Sequence, residues 1–274
     1  MKKSSAIFIW IILPFILYGQ NEKQRYDDFL LRQFGTTFID KGEFHDSIFE
    51  NDFSDIWFAK ELNLDPNNYP TVRQEPLGFI GENFQRLFMH FSEVKKESGK
   101  KYHVKGKSMV KNNVCDFEGS LTIKMAREFK TPYVEGALYT IDSRTITQGV
   151  LIGLYEFFED SAQNHTGTFN GIFVISFHLT ETGSLEYNIT DFFSDNYINN
   201  QFTGTWTLYN SSNLKTANWG DWRIPESDDL DIGAGEFSPS DKYLKFGWQT
   251  YRDAYFQSEH NESALEQENR KWWE

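Results

Sequence analysis

The chain has 274 residues, of which 39% are hydrophobic and 24% charged, so it can bury a sizeable core and is not expected to be disordered. Its one cysteine excludes an intramolecular disulfide and a zinc site built from cysteines. The formal net charge of −13 disfavours nucleic acid and anionic membrane surfaces as partners.

Residues 1–19 have the pattern of a secretion signal. Lys2 and Lys3 form a positive start, residues 6–18 form an apolar stretch, and Gly19 is small enough for a cleavage site. No later apolar run approaches the ~20 residues that span a bilayer. We therefore expect a secreted protein, periplasmic or extracellular, with no transmembrane segment after signal cleavage. An uncleaved signal anchor is the alternative.

Residues 20–76 are predicted to form an N-terminal helical segment. Apolar residues recur there at helical spacing in two stripes, namely Tyr26, Phe29, Leu30 and Phe34, then Phe49, Phe53, Ile56 and Trp57. A turn-rich stretch at 65–70 ends this region.

Residues 77–274 are predicted to form an antiparallel β domain with C-terminal helices. The hydrophobic spacing there becomes that of strands, most clearly over 102–125. A two-residue turn at Asn112–Asn113 would pair Gly106 with Gly119 and place an apolar face opposite a charged one. Further strands are predicted at 146–158, 167–179, 184–190, 201–209 and 215–224.

A short strand motif recurs three times in this region, at 116–123, 168–175 and 201–208. Each copy has phenylalanine in second place and glycine in fourth place, and both are expected to face inward. Such glycines let a sheet bend sharply, as curved or closed antiparallel sheets require. The sequence therefore predicts a mainly β fold, an antiparallel meander forming a curved barrel or sandwich, with helical N- and C-terminal segments packed on it.

A C-terminal helix is predicted over 239–257. Ser238 suits the N-cap, Pro239 suits the first helical position, and Asp241 follows three residues after the cap. A second, shorter helix is predicted from about 261 to Trp272–Trp273.

The sequence carries no recognisable catalytic motif. Its six histidines are scattered with no pair at metal-binding spacing, and it has no G-x-S-x-G elbow and no phosphate loop. Cys115 lies on a predicted inward face and is interpreted as a small buried hydrophobe. We therefore predict no catalytic residue and no cofactor other than the calcium ion considered below.

Trp219 and Trp222 are the candidate ligand-binding residues. Six of the eight tryptophans follow residue 200, and these two point to opposite faces of their predicted strand. An exposed tryptophan beside Asp and Asn is suited to stack on a sugar ring. Core packing against the C-terminal helix is the alternative interpretation.

The acidic stretch after Pro225 is a candidate metal site. Asp228, Asp229 and Asp231 precede two glycines, and calcium prefers several oxygen ligands from a flexible loop. The spacing does not match an EF-hand. A solvated acidic turn is the alternative to a Ca²⁺ site.

Residues 202–206 (FTGTW) resemble the G-x-W strand of lipocalin and avidin-type barrels. In those families this strand opens the barrel, whereas here it lies near the end of the β region. Residues 77–245 also resemble a group of uncharacterised secreted bacterial proteins, through segments such as VKGKSMVKNNVCDFEG and NWGDWRIP. The resemblance implies no established activity and assigns no ligand-binding residue.

These features favour a non-enzymatic secreted or periplasmic protein that binds a small molecule, a glycan or a partner protein. One alternative is a glycan-acting hydrolase that uses paired carboxylates, since two acids across a cleft suffice for that chemistry. The other alternative is a protein interaction or inhibitor module with an acidic binding face, whose complexes would weaken at raised salt.

Overall fold

The structure is a computed structural model. It describes residues 24–30, 32, 40–58, 61–63, 70–129, 145–189, 195, 197–256 and 261–274. The predicted signal segment, Phe34 and the turn-rich residues 65–69 lie outside these ranges. The chain divides into two compact units, Met1–Ile39 and Asp40–Glu274.

The described part of the first unit contains a helix, α1, over 24–30. Three residues of the predicted apolar stripe are buried, namely Tyr26, Phe29 and Leu30. Gln24 Nε2 donates a hydrogen bond to Asp28 Oδ1 at 2.8 Å, one helical turn further on. The described helix α1 therefore lies at the first of the two apolar stripes.

The second unit consists mainly of antiparallel strands. In chain order they are β1 (Asp40–Glu43), β2 (Glu61–Asn63), β3 (Pro70–Val72), β4 (Leu77–Ile80), β5 (Gln85–Ser98), β6 (Lys101–Val110), β7 (Asn113–Phe129), β8 (Thr145–Glu159), β9 (Gly167–Thr180), β10 (Leu185–Tyr187), β11 (Asn199–Leu208) and β12 (Leu214–Asp221). β2 and β3 pair in a small sheet of their own, and the remaining strands belong to one larger sheet.

Eight strands of the larger sheet close into a ring. From β4 to β9 each strand pairs with the next, β9 then pairs with β11, β11 pairs with β12, and β12 returns to β4. The ring follows chain order and skips β10, a short strand that pairs with β9 at Phe177–Leu179, beyond the part that pairs with β11. This closed antiparallel meander confirms the predicted mainly β fold.

The β6–β7 hairpin has the predicted faces but not the predicted register. Its turn lies at Lys111–Asn112, one residue earlier than expected, and Gly106 therefore pairs with Phe117 instead of Gly119. The pairing moves by two residues, so each side chain keeps its face. A Cβ at Gly106 would lie 2.4 Å from Phe117 Cζ, and the glycine thus makes room for this ring.

Two glycines of the recurring motif lie where strands approach most closely. Gly171 of β9 pairs directly with Gly204 of β11. A Cβ at Gly204 would lie 2.1 Å from the backbone oxygen of Asn170 and 2.5 Å from Tyr155 Oη. The phenol of Tyr155 covers the glycine pair, and any larger residue would collide with backbone atoms.

Aromatic side chains fill the inside of the ring. The three phenylalanines of the motif are buried there, namely Phe117, Phe169 and Phe202. Phe202 stacks on Trp219 with ring centroids 4.8 Å apart and an interplanar angle of 12°. Tyr155 meets the same indole edge-on at 5.1 Å. These contacts make one continuous aromatic core.

The N-terminal part of the second unit combines short helices with short strands. A 3₁₀ helix over Asp46–Glu50 is followed by α2 (Ser54–Phe58). The residues of the second predicted stripe are all buried, namely Phe49, Phe53, Ile56 and Trp57. The predicted helical segment 20–76 also contains β1, β2 and β3. Across the described ranges, no helix has both the length and the apolar character needed to cross a membrane.

The predicted C-terminal helix begins later and in two parts. A 3₁₀ helix over Asp241–Phe246 precedes α3 (Gln249–Tyr255), and Gly247 between them has a φ of 99°. Ser238 is not the N-cap that was predicted, because the helix begins two residues later with Ser240 as its N-cap. The backbone N–H of Ser238 donates to Asp231 Oδ1 at 3.0 Å. That bond ties Ser238 to the preceding acidic loop, so the first helical turn forms after it.

The last helix, α4 (Glu262–Asn269), is held to the ring by Arg86 of β5. Both ends of the guanidinium bond the Glu268 carboxylate, with Nη1 at 2.7 Å from Oε1, and the two side chains are only 5% and 6% exposed. The guanidinium also lies over the rings of Phe88, Trp248 and Tyr251, at 4.4, 5.0 and 5.4 Å. Arg86 thus joins the C-terminal helices to the sheet.

We expect Arg86→Met to release α4 from the ring. The Glu268 carboxylate would remain buried without its cation, and breaking a buried pair in this way destabilises by about 3–5 kcal/mol. Backbone amides over 262–269 should exchange with deuterium faster, while those of β9 should be unaffected. Lys271→Met is the matched control, because Lys271 and its partner Glu274 are 64% and 65% exposed. Unchanged exchange over 262–269 in Arg86→Met would contradict this role.

Candidate functional site

A pocket lies in the wall of the ring, between β5 and β12. In the described chain, β4 pairs with β5 only through Phe79–Arg86 and Ile80–Gln85, although β5 continues to Ser98. Beyond these two residue pairs, β5 has no described strand partner on the β12 side, which leaves a seam in the wall of the ring. Residues 73–76 and α2 border the seam and help to line the pocket.

The pocket has a volume of about 50 Å³. One water molecule needs roughly 10–15 Å³ by the same measure, so there is room for a few small groups. Five aromatic side chains form much of the wall, namely Trp57, Phe58, Phe91, Phe202 and Trp219. Phe58 and Phe91 are partly exposed, which places aromatic surface at the mouth.

The buried ion pair of Arg73 and Asp221 forms one polar side of the pocket. Asp221, at the end of β12, accepts from Arg73 Nη2 at 2.9 Å and lies 2.8 Å from Arg73 Nε. Its Oδ2 also accepts from the Tyr187 hydroxyl at 2.7 Å and from Asn200 Nδ2 at 2.9 Å. Arg73 donates in addition to the backbone oxygen of Trp57 at 2.9 Å, which ties α2 to the pair. Three hydrogen bonds and the charge of Arg73 therefore hold one carboxylate.

Burial and ion pairing have opposite effects on the pKa values of Asp221 and Arg73. Burial raises the pKa of Asp221, and the nearby Arg73 opposes that rise. For Arg73, burial acts to lower the pKa, but the attraction of Asp221, Tyr187 and Glu75 together with the hydrogen bond to Asp221 outweighs it, and the pKa is raised. Burial also raises the pKa of Tyr187. The guanidinium thus stays charged, and the phenol stays a hydrogen-bond donor.

A histidine and a glutamate form the opposite polar side. His90 Nδ1 lies 3.1 Å from each carboxylate oxygen of Glu75. The imidazole stacks on the indole of Trp273, with centroids 4.1 Å apart and planes 8° from parallel. These contacts fix the orientation of the His90 ring. The side chain of Glu75 is 39% exposed, so its carboxylate is at the mouth of the pocket.

Three buried polar atoms of the lining residues have no hydrogen-bond partner among the described residues. One is Arg73 Nε, which lies within the ion pair with Asp221. The other two are Trp57 Nε1, a donor, and Asn200 Oδ1, an acceptor. Both residues are only 2% exposed. A buried polar group without a partner is unfavourable by about 1–3 kcal/mol. The lining therefore offers one donor and one acceptor that a bound molecule could satisfy.

The structure brings one of the two predicted ligand-binding tryptophans to this pocket. Trp219 lines it from the inside of the ring and is 1% exposed. Trp222 does not line it, is half-buried and lies 6.2 Å from Tyr197 between ring centroids. Trp222 follows the end of β12 at Asp221 and has a φ of 70°, so strand parity no longer sets its direction.

The predicted calcium ligands Asp228, Asp229 and Asp231 do not line the pocket. Asp231 Oδ2 pairs with Arg223 Nη1 at 2.8 Å, and Asp229 Oδ2 pairs with Lys242 Nζ at 2.9 Å. Within the ranges that the structure describes, no three His, Cys, Asp or Glu side chains are grouped so that they could hold a metal ion. The calcium site stays a prediction.

Glu159 is a further buried carboxylate, and it does not line the pocket. Its Oε2 accepts from the Gly167 N–H at 2.8 Å and from Trp206 Nε1 at 2.9 Å, while the Ser108 hydroxyl donates to Oε1. Burial raises the pKa of Glu159. Because donors occupy both oxygens, we interpret this group as structural.

Sequence reasoning missed most of the polar lining, namely Arg73, Glu75, His90 and Asn200. Arg73 and Asp221 are 148 residues apart, and no local pattern connects them. A usable signal is the run of amides Asn199–Gln201 at the start of β11, because asparagine is depleted in strands and all three residues are buried. Such a run indicates a buried polar network.

No family model, curated protein or solved structure matches the chain. The resemblance of residues 202–206 to lipocalin and avidin-type strands, and that of 77–245 to secreted bacterial proteins, therefore stay predictions. We argue the function from the chemistry of the pocket.

Proposed function

We propose that the protein is a non-enzymatic binding protein whose pocket between β5 and β12 holds a small polar ligand or the polar end of a larger one. The observation that carries this proposal is the pair of unpartnered buried atoms, Trp57 Nε1 and Asn200 Oδ1. A ligand that satisfies both must accept one hydrogen bond and donate another, as hydroxyl and amide groups do. The predicted signal at 1–19 favours a ligand met outside the cytoplasm.

The size of the pocket supports a small ligand group. Drug-sized ligands occupy sites of roughly 300–1,000 Å³, whereas this pocket has about 50 Å³. The interior of the ring is filled by aromatic side chains. A sugar hydroxyl edge or an amino alcohol is therefore a better fit than a large apolar molecule, and its remaining atoms would extend past Phe58 and Phe91.

A carboxylate-based hydrolase is the second candidate. Glu75 and Asp221 line the same pocket as Trp57, which is the residue combination that glycan hydrolysis uses. Asp221 accepts three hydrogen bonds, from Arg73, Tyr187 and Asn200, and forms an ion pair with Arg73. The buried ion pair with Arg73 holds Asp221 in place as a structural anion, and this favours binding over hydrolysis.

We expect Trp57→Phe to weaken ligand binding by about 5–10-fold, the value of one hydrogen bond. The change removes the Nε1 donor and keeps an aromatic ring. The measurement is isothermal titration calorimetry of the full chain with glucose, N-acetylglucosamine and choline as probes.

Trp206→Phe is the matched control for this prediction. It also removes an indole donor, one that bonds Glu159 outside the pocket, so it should leave affinity unchanged. The proposal is wrong if none of the three probes binds with a Kd below about 10 mM, or if Trp57→Phe binds as tightly as the unaltered protein.

A further inference from the structure

The charges at the pocket do not balance. Arg73 and Asp221 neutralise each other in their buried pair. Glu75 is the other carboxylate of the wall, and its ion-pair partner among the described residues is His90, which is charged only when protonated. A neutral imidazole therefore leaves one negative charge at the mouth, in a chain with a formal net charge of −13.

Aromatic surface lies beside this charge. Phe58 and Phe91 line the pocket and are partly exposed, and Trp57 lines it more deeply. The face of an aromatic ring attracts a cation placed within about 6 Å of its centre. A carboxylate next to aromatic side chains thus favours organic cations over neutral molecules of the same shape.

We propose that the pocket selects organic cations of the quaternary ammonium class and that Glu75 sets this selectivity. The inference rests on the proposed function, because it assigns a charge to the ligand of the same pocket. The ammonium group lies near Glu75 and the aromatic mouth. A hydroxyl of the same ligand reaches the buried atoms Trp57 Nε1 and Asn200 Oδ1.

Two probes of equal shape test the inference. Choline carries a permanent positive charge, and 3,3-dimethylbutan-1-ol replaces its nitrogen by carbon. We expect choline to bind at least about 10-fold more tightly in calorimetric titrations of the full chain. The choline affinity should fall as sodium chloride is raised, and that of the neutral alcohol should change little.

Glu75→Gln should abolish the preference. It removes the charge, keeps the shape of the side chain and should bring choline to within about 2-fold of the neutral alcohol. Glu93→Gln is the matched control, because Glu93 is an exposed acid of β5 that does not line the pocket. That variant should retain the preference for choline.

Each outcome separates the two proposals. If the unaltered protein binds choline and the neutral alcohol equally, the charge selectivity is overturned. If Trp57→Phe then binds both more weakly, the pocket is still a binding site. A preference for choline that persists in Glu75→Gln overturns the role of Glu75. Failure of both probes and both sugars to bind overturns the proposed function as well.

Discussion

Replacing Arg73 with methionine is expected to lower the free energy of unfolding by about 3–5 kcal/mol. The guanidinium is the cation of a carboxylate that is 2% exposed, and it also donates to the backbone of α2. Without it, Asp221 stays buried with an uncompensated charge, which is more unfavourable than the loss of the hydrogen bonds alone. Urea denaturation followed by tryptophan fluorescence measures the change.

The stability of Arg73→Met should also fall as the pH rises. Burial already raises the pKa of Asp221, and Arg73 opposes that rise, so its removal moves the folded-state pKa further above the unfolded one. Between these two pKa values the folded protein binds more protons than the unfolded chain, so the free energy of unfolding decreases with pH. The loss of unfolding free energy in Arg73→Met, relative to the unaltered protein, should be smallest below the unfolded-state pKa of about 4. It should increase with pH until the folded-state pKa of Asp221 is passed.

The control is Asp221→Asn in the Arg73→Met background. Asparagine carries no charge and keeps an oxygen that can accept from the Tyr187 hydroxyl. The double variant should therefore recover part of the lost stability and lose the pH dependence of the single variant. A double variant no more stable than Arg73→Met at pH 8 would contradict the buried-charge explanation.

The strands of the ring could be predicted because their signals are local. β8 was expected at 146–158 and is found at Thr145–Glu159, and β9 was expected at 167–179 and is found at Gly167–Thr180. The strand-forming residue types and the apolar pattern over such lengths are properties of neighbouring residues in the chain. The motif glycines also indicated a curved sheet, although their closest pair, Gly171 with Gly204, joins two separate copies.

Local patterns were weaker guides to register and to helix ends. Adjacent asparagines allowed two positions for the β6–β7 turn, and packing of Phe117 over Gly106 selects the earlier one. Ser238 has the right residue type for an N-cap, but it is bonded to Asp231 of the acidic loop, and Ser240 is the N-cap instead. In both cases a contact outside the local segment decides between locally acceptable alternatives.

The pocket could not be derived from the sequence, apart from Trp219. It exists because β4 ends while β5 continues, and that mismatch depends on strand pairing across the ring. The charged lining comes from the segment before β4, the middle of β5 and the end of β12. Residues such as Arg73 and His90 carry no motif, since ligand-binding pockets of this kind require convergence in space and no fixed spacing.

Replacing Gly204 with alanine is expected to lower the free energy of unfolding by about 3 kcal/mol or more. The added Cβ would lie 2.1 Å from the Asn170 oxygen and 2.8 Å from Gly171 Cα, both backbone atoms of the paired strand. The two strands must therefore separate locally, and the covering phenol of Tyr155 must move with them. Thermal and urea unfolding measure the loss, and the soluble yield reports a variant that fails to fold.

Gly235→Ala is the matched control for Gly204→Ala. The nearest atom to its added Cβ is Asp195 Oδ1 at 2.8 Å, the end of a flexible exposed side chain that can move aside. The unfolded chain loses some conformational freedom in either variant, which favours the folded state by about 0.4–1 kcal/mol. We therefore expect the control to unfold within about 1 kcal/mol of the unaltered protein. Similar stability of the two variants would show that β9 and β11 can separate at little cost, contrary to the close approach described here.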